Sequence, residues 1–273
     1  MNTTEKISVI IPTYNRANLI ERSVQSVLEQ IYDNLEVIVV DDGSVDNTME
    51  VVSAFRDNRI VYHKLPINQG VSNARNVGAA IATASLIAFQ DSDDCWRKDK
   101  LKKQMEYWGE YQECSMIYSS YLSHLANEVI RKIPSETTQG KFEGDIFVDL
   151  LQRNTVGAPT MLMKKKCFQT CGGFDITWKS LEDWEFVLRF AKNYRIGFVE
   201  EPLVDVFLLQ NGISSVAGAY YESRCRMIAK YKNEMTEKGI FEQVVTELLN
   251  RASEGNILET VQKMLMIFLA NSY

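Results

Sequence analysis

An α/β fold with a mostly parallel central sheet flanked by helices is predicted by three observations. Short apolar runs rich in Val, Ile and Phe recur at 7–11, 35–40, 59–65, 86–89 and 115–121, and read as strands. Between them, 19–30, 46–55, 71–83 and 99–111 carry apolar residues at helical spacing. Strands and helices alternating at this pitch form βαβ units, whose crossover helices cover both faces of a parallel sheet.

Taken in order, the first strand runs into Pro12-Thr13-Tyr14-Asn15-Arg16. The second ends at Asp41-Asp42-Gly43-Ser44, and Asp46 opens the next helix as its N-cap. Asn68-Gln69-Gly70 opens the third helix, where small residues allow close packing and Arg75 falls one turn in. The fourth strand ends at Asp91-Ser92-Asp93-Asp94. Ligands of open α/β sheets bind beyond the carboxyl ends of strands, so three polar clusters at three such ends point to one crevice. Past 126 the pattern changes. The stretch 127–144, with Pro134, Gly140 and Gly144, reads as an irregular connection. Then come a short helix at 145–153, a strand at 160–163, a helix at 165–170, a Gly172-Gly173 turn, a helix at 181–193 and extended segments at 195–199 and 203–209. Beyond 216 the composition is helical, with an apolar tail at 264–270. The expected division is a domain at 1–215, with halves at 1–125 and 126–215, and a helical extension at 216–273.

Composition narrows the function. The 273 residues are 45 % hydrophobic, enough for a sizeable core. A formal net charge of −6 argues against nucleic acid as a partner, because phosphate backbones require a basic footprint, yet it leaves room for one nucleotide. Five cysteines at irregular spacings and two histidines assemble no zinc pattern, so reduced thiols in a cytosolic protein are expected. Cys167 and Cys171, four apart, suit one helix face. The first apolar run is too short for a secretory signal, and no run approaches the ~18 residues of a membrane span. A soluble, cytoplasmic protein is therefore expected.

Four clusters carry chemistry. Asp91 and Asp93, two apart at a strand end, can aim at one point and hold Mg²⁺ or Mn²⁺ together with substrate phosphates, or reach a ribose; Asp94 alone suits a helix cap. Asp41 or Asp42 could accept from a base imide N–H or a ribose hydroxyl, and Tyr14 could stack on a nucleobase. The Arg75 guanidinium could meet a diphosphate or a base edge, or pair with a carboxylate. Glu182-Asp183 is either dipole-favoured capping or the home of a general base for a hydroxyl, and Trp184 is either core or the floor of a sugar subsite.

Together these residues resemble the family 2 glycosyltransferases of the GT-A fold. The resemblance rests on Ser8-Val9-Ile10-Ile11-Pro12-Thr13-Tyr14-Asn15-Arg16, Val39-Val40-Asp41-Asp42-Gly43-Ser44-Val45-Asp46, Asn68-Gln69-Gly70 with Ala74-Arg75-Asn76-Val77-Gly78, Phe89-Gln90-Asp91-Ser92-Asp93-Asp94, Gly172-Gly173-Phe174-Asp175 and Glu182-Asp183-Trp184. It implies that Pro12, Tyr14, Asp42 and Arg75 surround a base, usually uracil. It implies an Asp-X-Asp motif in which Asp93 reaches a metal on the diphosphate and Asp91 the ribose or sugar side. It makes Asp183 the catalytic base, with Glu182 beside it, in an inverting transfer from a UDP-sugar to a saccharide or lipid-linked acceptor. Two departures stand out. Relatives carry an Arg-X-His element before an Ile-Ser, whereas 206–214 has no His and offers only Gln210 or Asn211. Gln90 stands where an aliphatic residue is usual.

Competing readings are weaker. A nucleotidyltransferase wants a Gly-rich loop after the first strand, and a dinucleotide-binding dehydrogenase wants Gly-X-Gly-X-X-Gly; neither is present. A non-catalytic nucleotide-sugar-binding or scaffold protein does not need Asp91, Asp93 and Asp183 together. The apolar tail after 257 suits a helix packed on the domain or on a second subunit, or a peripheral contact with a membrane.

Overall fold

The computed structural model describes residues 5–125, 128–208 and 217–271. One nine-stranded sheet runs through the chain. Strands β1 (Ile7–Thr13), β2 (Leu35–Asp41), β3 (Ile60–Lys64) and β4 (Leu86–Phe89) lie side by side in the order β3-β2-β1-β4, all parallel. The sheet then continues through β8 (Leu162–Lys164), β6 (Met116–Leu125) and β9 (Ile196–Phe207) to the two-residue β5 (Cys95–Trp96). β8 is antiparallel to both β4 and β6, which leaves β6 and its parallel partner β9 running with the first four strands. The α/β architecture and mostly parallel sheet expected from the sequence are observed.

Side-chain alternation explains why the sheet is covered on both sides. Every residue of β1 and β2 is buried. Ile10, Ile38, Val40, Ile87 and Phe89 point into one core, while Ile7, Val9, Ile11, Val37, Val39, Leu86 and Ala88 point into the other. The second core is closed by α1 (Ile20–Leu28), α2 (Thr48–Ser53) and α4 (Lys100–Glu110) through Val24, Val27, Val52, Leu101, Met105 and Trp108. The first core is closed by α3 (Val71–Ile81), α6 (Lys165–Thr170), α7 (Glu182–Ala191) and the C-terminal helices. α3 lies directly on β1 and β2 because residue 78 is glycine: a Cβ there would stand 2.4 Å from Ile10 Cγ2 and 3.2 Å from Val40 Cγ2.

Three local expectations are corrected. The stretch read as irregular contains β7 (Glu128–Ile133), antiparallel to β6. Its residues are mostly exposed and follow no strict alternation, which hid it. The strand expected at 160–163 sits later, as β8, because Pro159 starts a 3₁₀ turn, Ala158–Thr160, just before it. The two extended segments around 200 are one strand, β9, whose pairing with β6 shifts near Ser120 and so accommodates Pro202. The short helix at 145–153 is α5 (Phe147–Gln152). Glu185 (Oε1), fully buried on α7, accepts Arg189 Nε at 2.7 Å and Lys230 Nζ at 2.6 Å.

The C-terminal segment is helical: α8 (Ala217–Lys230), α9 (Lys232–Glu237), α10 (Phe241–Glu254) and α11 (Leu258–Ala270). These helices join the first core through Cys225, Met227, Ile228, Tyr231, Val244, Leu248, Val261 and Leu265. The apolar tail therefore packs on its own domain, while Met266 and Ile267 stay exposed. Among the described residues, no helix is long and apolar enough to cross a membrane. All five cysteines are free thiols, and Cys171 N–H bonds Cys167 O as one helix face requires.

Candidate active site

Beyond the carboxyl ends of β1, β2 and β4 opens a cleft of about 650 Å³. Eight residues singled out in the sequence line it, Pro12, Tyr14, Asp42, Arg75, Asp91, Asp93, Glu182 and Asp183, whereas Asp41 is buried outside it with Oδ1 accepting Ser44 N–H at 2.7 Å.

The wall after β1 and β2 is sewn together by side-chain bonds to backbone. Asn15 N–H donates to Ser44 Oγ (2.8 Å), and Asn15 Oδ1 accepts from Val45 N–H (2.9 Å). Arg16 N–H donates to Thr48 Oγ1 (3.1 Å) and Ala17 N–H to Asp46 Oδ2 (3.0 Å). Asp46 is thus a brace between the two loops; its Oδ1 caps the turn at Thr48 and it is not the N-cap of α2. Tyr14 projects from this braced loop and is 43 % exposed, leaving its ring face free to meet a ligand. Asp42 is buried, and its two oxygens accept from Gln69 and Gly70 N–H at 2.8 and 2.7 Å. Burial nonetheless holds its pKa above the usual carboxylate range. Gly43 permits that turn: its φ is +80°, and a Cβ would meet the Ile67 backbone carbon at 2.9 Å.

The floor is the turn after β4. Gln90, wholly buried, donates from Nε2 to Asp94 O at 2.8 Å and from its backbone N–H to Ile10 O at 2.9 Å. The departure noted in the sequence therefore has a structural role: it closes the 91–94 turn. Asp94 is a structural brace, its buried Oδ1 accepting Phe207 N–H at 3.0 Å. Arg22 donates to Asp93 O at 2.5 Å and lies over the Phe207 ring, 3.8 Å from its centroid. Burial and then the neighbouring Asp91 charge push the Asp93 carboxyl up, against Arg16 and Arg22, which draw it down. The Asp93 carboxyl, raised by burial and by the Asp91 charge beside it, would be relieved by a divalent cation, so the pair fits Mn²⁺ or Mg²⁺. Among the described residues no cluster of three or more His, Cys, Asp or Glu could hold a metal, so further ligands would come from a bound phosphate or water.

Arg75 ties the two halves of the cleft. It is 4 % exposed, with Nη2 on Asp91 Oδ1 and Nη1 on Glu182 Oε1, both at 2.7 Å. Burial alone would lower its pKa, but the Asp91 and Glu182 charges outweigh it and hold the guanidinium charged. Both η groups are committed, and the buried Nε has no partner among the described residues. Phe174 lies beneath the guanidinium, 5.2 Å away, and is fixed by paired bonds to the Asn76 amide, 2.8 and 2.9 Å. The Gly172-Gly173-Phe174 motif thus supports Arg75 from below.

α7 presents the acidic pair. Leu181, at φ +58°, turns the chain so that Glu182 and Asp183 begin the helix inside the cleft. Asp183 Oδ1 accepts Trp184 N–H at 2.7 Å. Burial first, and the Glu182 charge second, push the Asp183 carboxyl up to about 7, while Arg75 pulls it down. Trp184 belongs to the core: it is buried, donates Nε1–H to Leu150 O at 2.7 Å and is covered by Arg224, so it floors no sugar subsite.

The far wall, formed by Tyr121 and Ser123 on β6, Arg131 and Ile133 on β7, and Asn154, carries no sequence motif that marks it as part of a site. Val206, Phe207 and Leu208 also line the cleft, whereas Gln210 and Asn211 lie outside the described residues.

Residues 8–169 match the family model described as glycosyl transferase family 2. An uncharacterized glycosyltransferase of Rickettsia conorii is 36 % identical over 203 residues, 74 % of this chain, which spans about a third (32 %) of that protein's length. TuaG of Bacillus subtilis, named as a glycosyltransferase of teichuronic acid biosynthesis, is 33 % identical over 216 residues, 77 % of this chain and 81 % of that one. Among solved structures, S. aureus TarS 1-349 in complex with UDP-GlcNAc shares the fold, with a TM-score of 0.74 at 23 % identity over 98 % of this chain and 80 % of that one.

Proposed function

The chain belongs to glycosyl transferase family 2, and from that premise we propose that its cleft binds a UDP-sugar and transfers the sugar, with inversion, to a hydroxyl of a saccharide or lipid-linked acceptor in the building of a surface polysaccharide. The observation that carries this reading is a single cleft holding both the Asp91/Asp93 pair and Asp183, a carboxyl raised to about 7. A general base works best with a pKa near the operating pH. The UDP-GlcNAc bound to TarS and the polysaccharide named for TuaG support the donor and product classes.

In this reading Tyr14, Pro12 and the Asp42 loop receive the nucleoside. Asp91 and Asp93 would hold a divalent cation, Mn²⁺ or Mg²⁺, whose charge offsets that gathering on the diphosphate. Asp183 takes the proton of the acceptor hydroxyl. The freed oxygen lone pair forms the new bond to the anomeric carbon as the bond to the diphosphate oxygen breaks, and UDP departs with that electron pair. Attack from the opposite face turns an α-linked donor into a β-linked product. Arg75 keeps Asp91 and Glu182 at fixed positions on either side of the reacting centre.

Calorimetric titration of UDP, with and without Mn²⁺, tests the proposal in the native protein and in Asp93→Ala. Metal-dependent binding that disappears in the variant is expected. Absence of uridine nucleotide binding under every metal condition refutes the UDP-sugar reading.

A further inference from the structure

The far wall of the cleft carries a cation that the donor site does not use. Tyr121 and Ser123 alternate on β6, Arg131 and Ile133 on β7, and the two strands pair in register, Tyr121 opposite Ile133 and Ser123 opposite Arg131. All four side chains therefore share one sheet face, and all four line the cleft. The cleft has three arginines. Arg75 is spent on Asp91 and Glu182, and the charge of Arg16 bears on Asp93. Arg131 is exposed and makes no ion pair with a described residue. Its place relative to the base is given by Tyr121: burial raises that phenol's pKa first, Asp183 then raises it further, and Arg131 draws it down. Tyr121 thus lies within electrostatic reach of both, on the same cleft wall as Arg131.

We propose that Arg131 forms an oxyanion subsite for the acceptor, so that the sugar bearing the attacking hydroxyl carries a phosphate or carboxylate group. The cleft also carries six acidic side chains, Asp42, Asp91, Asp93, Asp94, Glu182 and Asp183, against three arginines. An anionic acceptor would be repelled from such a wall unless a cation received it, and a guanidinium meets phosphate or carboxylate with two parallel N–H bonds. The position of this subsite on the acceptor side rests on reading Asp183 as the base.

Three probes test it by calorimetry, with and without saturating UDP and Mn²⁺: an alkyl N-acetylglucosaminyl diphosphate, an alkyl glucuronide and a neutral alkyl glucoside. At least one anionic probe should bind about fivefold more tightly than the neutral one, and the preferred probe identifies phosphate or carboxylate as the source. Arg131→Gln should erase the preference and Arg131→Lys keep part of it; the exposed site makes both variants safe for folding. Equal affinity for all probes, no binding of any probe, or a preference that survives in Arg131→Gln overturns the subsite. If UDP binds and no anionic preference appears, this inference alone fails. If the Arg131-dependent preference persists without UDP binding, the donor reading fails and the anion subsite remains.

Discussion

Asp183→Asn should raise stability while it slows transfer. The native fold holds this carboxyl at about 7, against about 3.9 for an aspartate in an unfolded chain. At about 1.36 kcal/mol per pH unit, keeping it ionised costs folding about 4 kcal/mol; partial exposure to the cleft brings the expected cost to about 2–4 kcal/mol. The sign follows from proton binding. The folded state holds the proton more tightly than the unfolded state, so stability is lost as pH rises from about 4 to about 7 and the loss is complete above the folded pKa. Asparagine keeps an oxygen for Trp184 N–H, now bonded at 2.7 Å, and brings no charge to desolvate. The variant should therefore gain about 2–4 kcal/mol at pH 8, roughly 4–7 °C in Tm for 273 residues, and the gain should vanish near pH 4. Urea unfolding of the ligand-free protein and variant across pH 4–8 measures this, beside a transfer assay expected to fall by about 10²–10⁴. A variant no more stable than the native protein at pH 8, or a gain independent of pH, would refute the account of Asp183 as a carboxylate strained by burial and Glu182.

Transfer rate should rise with pH through a midpoint of about 7, and Glu182→Gln should move that midpoint to lower pH, because the Glu182 charge raises Asp183; an unmoved or higher midpoint in the pH–rate profile counts against the pairing. Gln90→Leu removes the bond to Asp94 O and should weaken Mn²⁺-dependent UDP binding about three- to tenfold by calorimetry. Its Tm should change little, since Gln90 Oε1 already lacks a partner among the described residues; unchanged affinity would show that the turn holds without it. Gly78→Ala forces a methyl against Ile10 and should cost about 1–3 kcal/mol in urea unfolding, with no loss expected if α3 can lift from the sheet instead.

Much of the first half was legible because β1, β2 and β4 are buried on both faces and read as continuous apolar runs, each stopped by a polar cluster. Pro12, Asp42, Asp91 and Asp93 follow apolar runs directly in the sequence, and parallel topology brings such strand ends to one cleft. The far wall was hidden for the opposite reason. β7 is an edge strand whose side chains are mostly exposed, so it lacks an apolar signature, and Pro134 with two glycines beyond it argued for a loop. Arg131 thus stood in a segment with no pattern to mark it. Contacts between distant residues were also unreadable: nothing in the order of residues ties Arg75 to Glu182, or Gln90 to the carbonyl of Asp94. Residue type alone left Trp184 as core or subsite; its buried indole N–H, donated to the Leu150 carbonyl, makes it core.

The antiparallel β8 has a consequence for synthesis of the chain. It is the strand that joins β4 to β6, yet it is made after both. A nascent chain that has just released β6 therefore holds four parallel strands with one side of β4 unpaired, and β6 has neither β8 nor β9 beside it. At ordinary elongation rates that state lasts on the order of seconds, long for an exposed Leu86-Ile87-Ala88-Phe89 edge. Co-translational holding by a chaperone would matter most in this window, and destabilising changes in β8 would reduce soluble yield out of proportion to its three residues.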